Sequence, residues 1–163
     1  MIVVSDTSPL SSLAIVEQLS LLQQLYGKVI IPTAVATELA NTEPEDSRVT
    51  AVLSLTWIET QSVTNRTLIE TLQNEGKLDL GESEAIALSV ELNVDELLID
   101  ERLGRREAKR LGLSIIGVLG VLVVAKGRGL ISAVKPIMDD LILQAGFRVS
   151  DRLYTEVLQA AGE

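Results

Sequence analysis

Short apolar runs alternate along the chain with longer segments of helical periodicity. Uninterrupted apolar runs are typical of strands that are buried on both faces of a parallel sheet. Four such runs are predicted strands, covering residues 2–4, 29–31, 97–99 and 114–116. Residues 57–63 instead alternate between apolar and polar positions, which favours a strand at the edge of the sheet.

Helical segments lie between these strands. Capping side chains followed by Pro9 predict a helix start after the first strand, and this helix runs to about Tyr26 with a break near Glu17. A second helix opens at Pro32 and contains Glu38. The other predicted helices cover about residues 47–55, 65–74, 82–92, 102–111, 118–126, 132–144 and 151–161, with a turn over 76–81.

Strands that alternate with helices predict an α/β fold, a sandwich of helices around a central parallel sheet. The chain has 163 residues and shows no internal repeat, linker or low-complexity tract. A length of this order suits one domain with a sizeable core, so we expect a single domain over residues 1–163.

Two residue types that carry much of enzyme chemistry are missing, because the chain has no Cys and no His. Disulfides, thiolate-bound zinc, a His general base and nucleophile systems of the Ser-His-Asp or Cys-His kind are therefore excluded. Any metal must be held almost wholly by oxygen atoms, which favours Mg²⁺ or Mn²⁺ over zinc and copper.

Several features bear on where the protein works. The first residues lack the basic start and long apolar stretch of a signal peptide. The longest apolar run, residues 115–125, is shorter than the roughly 20 residues that span a bilayer. The absence of Cys fits a reducing compartment, so we expect a cytoplasmic protein with no membrane partner.

The formal net charge is −9, so the chain as a whole repels polyanions such as nucleic acids. A nucleic-acid partner therefore requires a local cluster of basic residues. Aromatic residues make up only 2% of the chain, which argues against a platform that stacks successive bases of a single strand.

Acidic residues lie at the carboxyl ends of two predicted strands, directly before the helices that follow. Asp6 ends the first strand, and Asp100 follows the strand over residues 97–99. Glu38 lies about two turns into the helix after the second strand, while Glu82 and Glu84 lie in the first turn of the helix before Asp100. Ligands of open parallel sheets bind outside the carboxyl ends of the strands, where all these acids can converge.

Converging carboxylates repel one another, by roughly 4 kcal/mol for two charges about 4 Å apart at an effective dielectric of about 20. Either some acids stay protonated or cations lie among them, and divalent metal ions are the better remedy in segments without His or Lys. Such ions lower the pKa of a water that attacks phosphorus and stabilise the leaving oxygen.

Each acid also has a plainer interpretation. Asp6 and Asp100 could cap the helices that follow them, and Glu38 could be an ordinary solvated helix residue. Glu82 and Glu84 suit a helix N-terminus because of the helix dipole. The joint pattern is more specific than any single position.

Five of the chain's 14 basic residues fall within the helix that follows Asp100: Arg102, Arg105, Arg106, Lys109 and Arg110. They could hold substrate phosphates beside the metal ions, or form a solvated face that pairs with Glu101 and Glu107. The hydroxyls of Thr7 and Ser8 could orient a water or a phosphate, or simply satisfy helix N–H groups.

Four segments in order along the chain resemble the motifs of the PIN-domain family: residues 3–10, 29–39, 80–88 and 97–102. The resemblance extends to the closing residues 161–163 and so covers essentially the whole chain. It is strongest for a little-characterised prokaryotic branch that is similar to VapC-type toxins.

The resemblance implies a three-layer α/β/α sandwich and an endoribonuclease that depends on Mg²⁺ or Mn²⁺. Family members are often toxins held in check by a small antitoxin, and many are homodimers. The same resemblance therefore implies an RNA substrate, an antitoxin partner and a second copy of the chain as candidate partners.

Carried over residue by residue, the resemblance matches Asp6, Glu38 and Asp100 to metal-binding acids. For the third acid, Glu84 aligns best, while Glu82 stands earlier in the same motif. The commoner family pattern has Asp here, and a longer Glu side chain would shift the metal. At the fourth position Asp100, first off the strand, is favoured over Glu101 as the direct ligand.

Other protein classes fit less well. Phosphatases of the haloacid-dehalogenase type need a second Asp two residues after the first, where this chain has Ser8. Phospho-receiver domains need a central Asp and a Lys at later strand ends, and neither is present. A module that binds a partner without catalysis stays open, and Leu153 and Val157 could form a dimer seam or pack on their own domain.

Overall fold

The computed structural model describes residues 1–163, and at its centre lies a five-stranded parallel sheet. The strands are β1 (Val3–Ser5), β2 (Val29–Pro32), β3 (Ile58–Gln61), β4 (Glu96–Leu98) and β5 (Ile115–Ile116). Their order across the sheet is β3-β2-β1-β4-β5, and every neighbouring pair is parallel. The predicted parallel sheet is confirmed, with β3 at an edge as its alternating pattern indicates.

Ten helices connect and cover the strands. They are α1 (Thr7–Ile15), α2 (Ser20–Tyr26), α3 (Thr33–Ala40), α4 (Ser47–Thr50), α5 (Arg66–Asn74), α6 (Leu80–Leu92), α7 (Arg102–Arg110), α8 (Val118–Gly127), α9 (Lys135–Gln144) and α10 (Asp151–Ala160). A 3₁₀ turn, Ala51–Ser54, continues α4.

The sheet separates two apolar layers because successive strand residues point to opposite faces. Val3 and Leu98 face the larger layer, which contains α1 to α4 and α8 to α10. Val4 and Leu97 face the smaller layer, built from α5, α6 and α7. The chain is thus a three-layer α/β/α sandwich, as expected.

The predicted break near Glu17 is confirmed, since Glu17 takes a left-handed backbone conformation with φ of 58° and separates α1 from α2. Most other predicted boundaries hold to within two residues, and the exceptions have local causes. Helix α9 begins at Lys135, three residues later than expected, with Pro136 in its first turn, where a missing N–H costs nothing. Helix α6 begins at Leu80, because Asp79 caps it.

Helix α10 packs on the chain's own core. Val157 is buried there, and Leu158 and Ala161 pack against the larger layer. This confirms intramolecular packing of the closing segment. No helix has both the length and the apolar character that crossing a membrane requires.

The order of the strands determines where a ligand would bind. From β1 the chain moves outward in one direction to β2 and β3, and later returns to the other side of β1 to form β4 and β5. The crevice at the carboxyl ends of β1 and β4 is therefore the topological switch point, the usual ligand position in open parallel sheets.

Candidate active site

Asp6 stands at the switch point itself. Its backbone N–H donates to the carbonyl of Leu98 at 2.9 Å and so extends the pairing of β1 with β4. The residue is buried, and it precedes α1 as the N-cap residue without a side-chain capping bond. The Asp6 carboxylate therefore does not cap α1 and is available for other contacts. This argues against the interpretation of Asp6 as a helix cap alone.

Burial raises the pKa of Asp6 to about 7, and a hydrogen bond from the Thr7 N–H opposes this rise in part. The negative charges of Asp79, Glu38 and Glu101 raise the pKa of Asp6 further. Four acidic side chains from separate parts of the sequence thus lie close enough to repel one another.

Glu38 reaches the same place from α3. The Thr7 hydroxyl donates to Glu38 Oε2. The Gly81 N–H also bonds to the Glu38 carboxylate. Burial raises the pKa of Glu38, and the charge of Asp79 adds to the rise, against the Thr7 hydrogen bond. A Cβ on Gly81 would lie 2.9 Å from Glu38 Cδ, so a larger residue there would push the Glu38 carboxylate out of its present position.

Asp79 and Glu82 come from the start of α6. Asp79 Oδ1 accepts from the Glu82 N–H at 2.8 Å, which caps the helix. Burial raises the pKa of Glu82 to about 8, and a hydrogen bond with Asp79 and the charges of Asp79, Asp6 and Glu101 add to the rise. Sequence reasoning missed Asp79, although its spacing three residues before Glu82 is a capping-box signal.

Glu84 is directed elsewhere. Its buried carboxylate accepts from the Ala34 N–H at 3.0 Å, at the start of α3, and lies 3.6 Å from the Arg66 guanidinium. It raises the pKa of Glu38 but lies outside the group around Asp6. That Glu84 binds metal stays a prediction, while its contacts favour a structural role.

Asp100 and Glu101, at the end of β4, also differ from each other. Glu101 is exposed and its charge acts on Asp6, Glu82 and Asp100. Asp100 Oδ1 accepts from the Val118 N–H at 3.0 Å, while Oδ2 has no partner. Burial raises the pKa of Asp100 to about 6, against the Val118 hydrogen bond and the charge of Arg105.

The acidic site is the group formed by Asp6, Glu38, Asp79, Glu82 and Glu101. The hydroxyl groups of Thr7 and Ser8, which follow Asp6 in the chain, have different hydrogen-bond partners. Thr7 is bound to Glu38, whereas Ser8 Oγ is shielded from solvent without a hydrogen-bond partner and lies in the wall of a neighbouring cavity.

The basic residues of α7 border this region on one side. Arg102, Arg106 and Lys109 are exposed around a hollow that also includes Arg105. Arg105 donates to the carbonyl of Ile99 at 2.7 Å, so it also braces the end of β4. Arg110 pairs with the buried Glu107 at 2.8 Å. Arg106 also lies 3.7 Å from the Glu107 carboxylate. Part of the basic helix is therefore structural, whereas Arg102 and Lys109 make no ion pair and are free for a ligand.

No ion pair joins a Lys or Arg to any member of the acidic site. The negative charges of the site are therefore not balanced by basic side chains, and only the raised pKa values of Asp6, Glu38 and Glu82 reduce them. A hard divalent cation suits such an all-oxygen donor set. As the side chains stand, however, no three acidic residues form a group placed to hold one ion.

Comparison with known proteins places the chain in a family. The model of the DUF3368 family, described as a PIN domain, matches residues 2–163. No curated protein sequence matches the chain.

Proposed function

Because this chain belongs to the PIN-domain family, we propose that its acidic site is the active site of an endoribonuclease that depends on Mg²⁺ or Mn²⁺. PIN domains are generally nucleases that act on nucleic acids with the help of divalent metal ions. The finer assignment to RNA rests on the resemblance of the motifs and on the basic surface of α7 beside the acids.

The observation that carries the proposal is the convergence of acids at the switch point without any basic partner. Keeping Asp6 and Glu82 there raises their pKa values to about 7 and about 8. Such a gathering destabilises the folded chain unless protons or cations balance the charges, and strongly perturbed acids in a cleft are typical of functional sites. Cation binding is the function that fits this chemistry.

We assign Asp6, Glu38, Glu82 and Glu101 to the metal ions, with Asp79 beside them; that Asp100 binds metal in preference to Glu101 stays a prediction. The donor chemistry fits, and three of these four are Glu side chains with three torsion angles to adjust. When bound, the ions would lower the pKa of the attacking water and stabilise charge on the phosphoryl oxygens.

Other residues of the chain would position the acids and the substrate. Asp6 is the fixed point, held by the backbone between β1 and β4. Thr7 and Gly81 orient the Glu38 carboxylate. Arg102 and Lys109 are exposed and would hold substrate phosphates next to the acidic site.

The test is metal-dependent cleavage of a fluorescent single-stranded RNA by the wild-type protein and by Asp6→Asn. We expect cleavage that requires Mg²⁺ or Mn²⁺ and falls by at least about 100-fold in Asp6→Asn, since even residues behind the ligands cost 10- to 100-fold. Asp140→Asn, on α9 and away from the site, is the matched control and keeps full activity. Undiminished cleavage by Asp6→Asn would show that the site is wrongly assigned.

One observation favours a second candidate, a PIN-like module that binds a partner with little or no catalysis. No three carboxylates are placed for one ion, which a degenerate site would also show. Wild-type protein that binds RNA or a protein partner, yet never cleaves RNA at any Mg²⁺ or Mn²⁺ concentration, would establish this alternative.

The toxin role, a small antitoxin partner, a homodimer and a cytoplasmic location stay predictions from the resemblance and the composition. An antitoxin that covers Arg102 and the acidic site would exclude RNA by occupying the same cleft. Growth arrest on expression of wild-type protein but not of Asp6→Asn would support a toxin, and light scattering coupled to gel filtration would measure the oligomeric state.

A further inference from the structure

A cavity of about 990 Å³ lies next to the acidic site, shares Glu101 with it and is also lined by Arg102. Its walls come from the start of α1, the end of β5, the start of α8, residues 145–148 and one face of α10. Sites for small molecules typically measure about 300–1,000 Å³. The cavity is therefore large enough for one nucleotide, and the proposed hydrolysis uses none of its lining residues except Glu101 and Arg102.

The wall of this cavity is mixed: seven of its 17 residues are apolar, and one of these carries an aromatic ring. Phe147, the only Phe of the chain, lies there beside Leu119 and Leu153. Two polar atoms, Ser8 Oγ and Asp100 Oδ2, belong to residues of the same wall and lack hydrogen-bond partners. Buried polar groups are nearly always bonded in native proteins, so these two have spare hydrogen-bonding capacity. Both atoms are shielded from solvent, so a side-chain rotation would have to expose them to an occupant.

Three arginines line the cavity, together with two acids, Asp100 and Glu101. Arg102 and Arg105 border it on the α7 side and continue into the hollow that contains Arg106 and Lys109. Arg148 borders it on the other side, is exposed, and makes no ion pair. In a chain of net charge −9, this concentration of arginine favours an anionic occupant.

An occupant must therefore combine a flat apolar part, polar edges and a negative charge outside the cavity. A nucleotide within an RNA strand has all three. An apolar peptide segment would satisfy the walls but leave the arginines at the rim without a counterpart.

We propose that this cavity is a base pocket, which takes one nucleobase of a single-stranded RNA and stacks it on Phe147 beside the phosphodiester at the acidic site. The proposal rests on the nuclease function proposed above and adds to it a site that selects unpaired RNA. One pocket for one base is also compatible with the low aromatic content, which excludes only an extended stacking platform.

The test uses fluorescence anisotropy of a labelled RNA hexamer and the cleavage-impaired Asp6→Asn protein in Mg²⁺, with the base removed at each position in turn. Stacking on an aromatic ring is worth roughly 1–3 kcal/mol per base, so removal at one position should weaken binding about 5- to 150-fold. Phe147→Leu, made in the same background, should weaken binding of the intact hexamer by a similar factor. It should leave binding of the hexamer that lacks this base unchanged.

Two further variants separate stacking from charge and folding. Arg148→Gln should weaken binding of both hexamers alike, because Arg148 would contact the RNA backbone and not the base. Arg128→Gln, at the far end of α8, should change the binding of neither hexamer. Phe147→Trp should keep the preference for the intact hexamer. Leucine retains the apolar contacts that Phe147 makes with the core, and thermal melting would verify the fold of each variant.

The outcomes distinguish this inference from the nuclease proposal. If base removal and Phe147→Leu weaken binding independently, so that their factors multiply, the cavity holds no base. If wild-type protein cleaves RNA while neither change affects binding, the base pocket is refuted and the nuclease stands; a protein segment would then be the better occupant. If no hexamer binds and none is cleaved, both proposals fail.

Discussion

Glu82 and Glu84 lie two residues apart on α6, yet their carboxylates have different neighbours. Two residues of a helix are separated by about 200° around its axis, so both cannot face the same group. Glu82 faces Asp6 and Asp79, whereas Glu84 accepts from the first turn of α3 and approaches Arg66. Glu82 is therefore placed for the chemistry of the site, whereas Glu84 attaches α3, the helix that carries Glu38, to α6.

The two glutamates provide a matched pair of variants. Glu82→Gln should lower RNA cleavage by about 100-fold or more, because it removes a negative charge from the proposed metal site. Glu84→Gln keeps an acceptor for the Ala34 N–H and should leave cleavage within a few-fold, at a stability cost of about 0.5–1 kcal/mol. Cleavage rates and urea unfolding would measure both effects. A severe loss of cleavage in Glu84→Gln with normal Glu82→Gln would reverse the assignment.

At the scale of elements, the acidic site depends on how closely α3 and α6 approach each other. Gly81 lies at the contact, with its N–H bonded to the Glu38 carboxylate and no space for a Cβ. Because the obstructing atoms are the far end of a flexible side chain, an added methyl would displace the carboxylate more readily than the helices.

Gly81→Ala should therefore alter activity more than stability. We expect cleavage to fall about 10- to 100-fold, since a misplacement of about 1 Å in a catalytic group can cost that much. The melting temperature should change little, because alanine favours the helix. Gly127→Ala is the control, since a Cβ at Gly127 would meet nothing within 4 Å. Equal activity of the two variants would show that the position of Glu38 is unimportant.

The exposed face of α7 makes a separate prediction about RNA binding. Each phosphate contact with a single strand contributes about 0.7 to the slope of log affinity against log salt concentration. Arg102→Gln and Lys109→Gln should each reduce that slope by about this amount, whereas Arg128→Gln should not. Binding titrations at several salt concentrations would measure it, and unchanged slopes would exclude α7 from the RNA path.

The elements themselves were largely predictable, because buried parallel strands leave continuous apolar runs and Asp6 and Asp100 mark their ends. The sequence could not predict which acid of a neighbouring pair faces the acidic site. Consecutive residues of an extended segment point to opposite sides, so Glu101 faces Asp6 while Asp100 binds the start of α8. That choice depends on the packing of α7 and α8 against β4 and β5, which no local pattern records.

For the whole molecule, the acidic site implies a stability that depends on pH and metal together. Asp6, Glu82 and Asp100 have pKa values of about 7, 8 and 6, above those of the unfolded chain. The folded state therefore retains protons that the unfolded state has lost, and stability falls as pH rises from about 5 through 8. Surface acids with lowered pKa values, such as Asp139 and Glu163, act below this window.

We therefore expect the melting temperature in EDTA to fall between pH 5 and pH 8. Mg²⁺ competes with these protons for the ionised carboxylates, so the rise in melting temperature that it produces should be small at pH 5 and largest near pH 8. Asp6→Asn removes one buried charge; it should melt higher than wild type in EDTA at pH 8 and respond less to Mg²⁺. A melting temperature in EDTA that is constant or rises over this range would contradict the raised pKa values of these acids. A Mg²⁺ effect equal at both pH values would separate metal binding from these carboxylates.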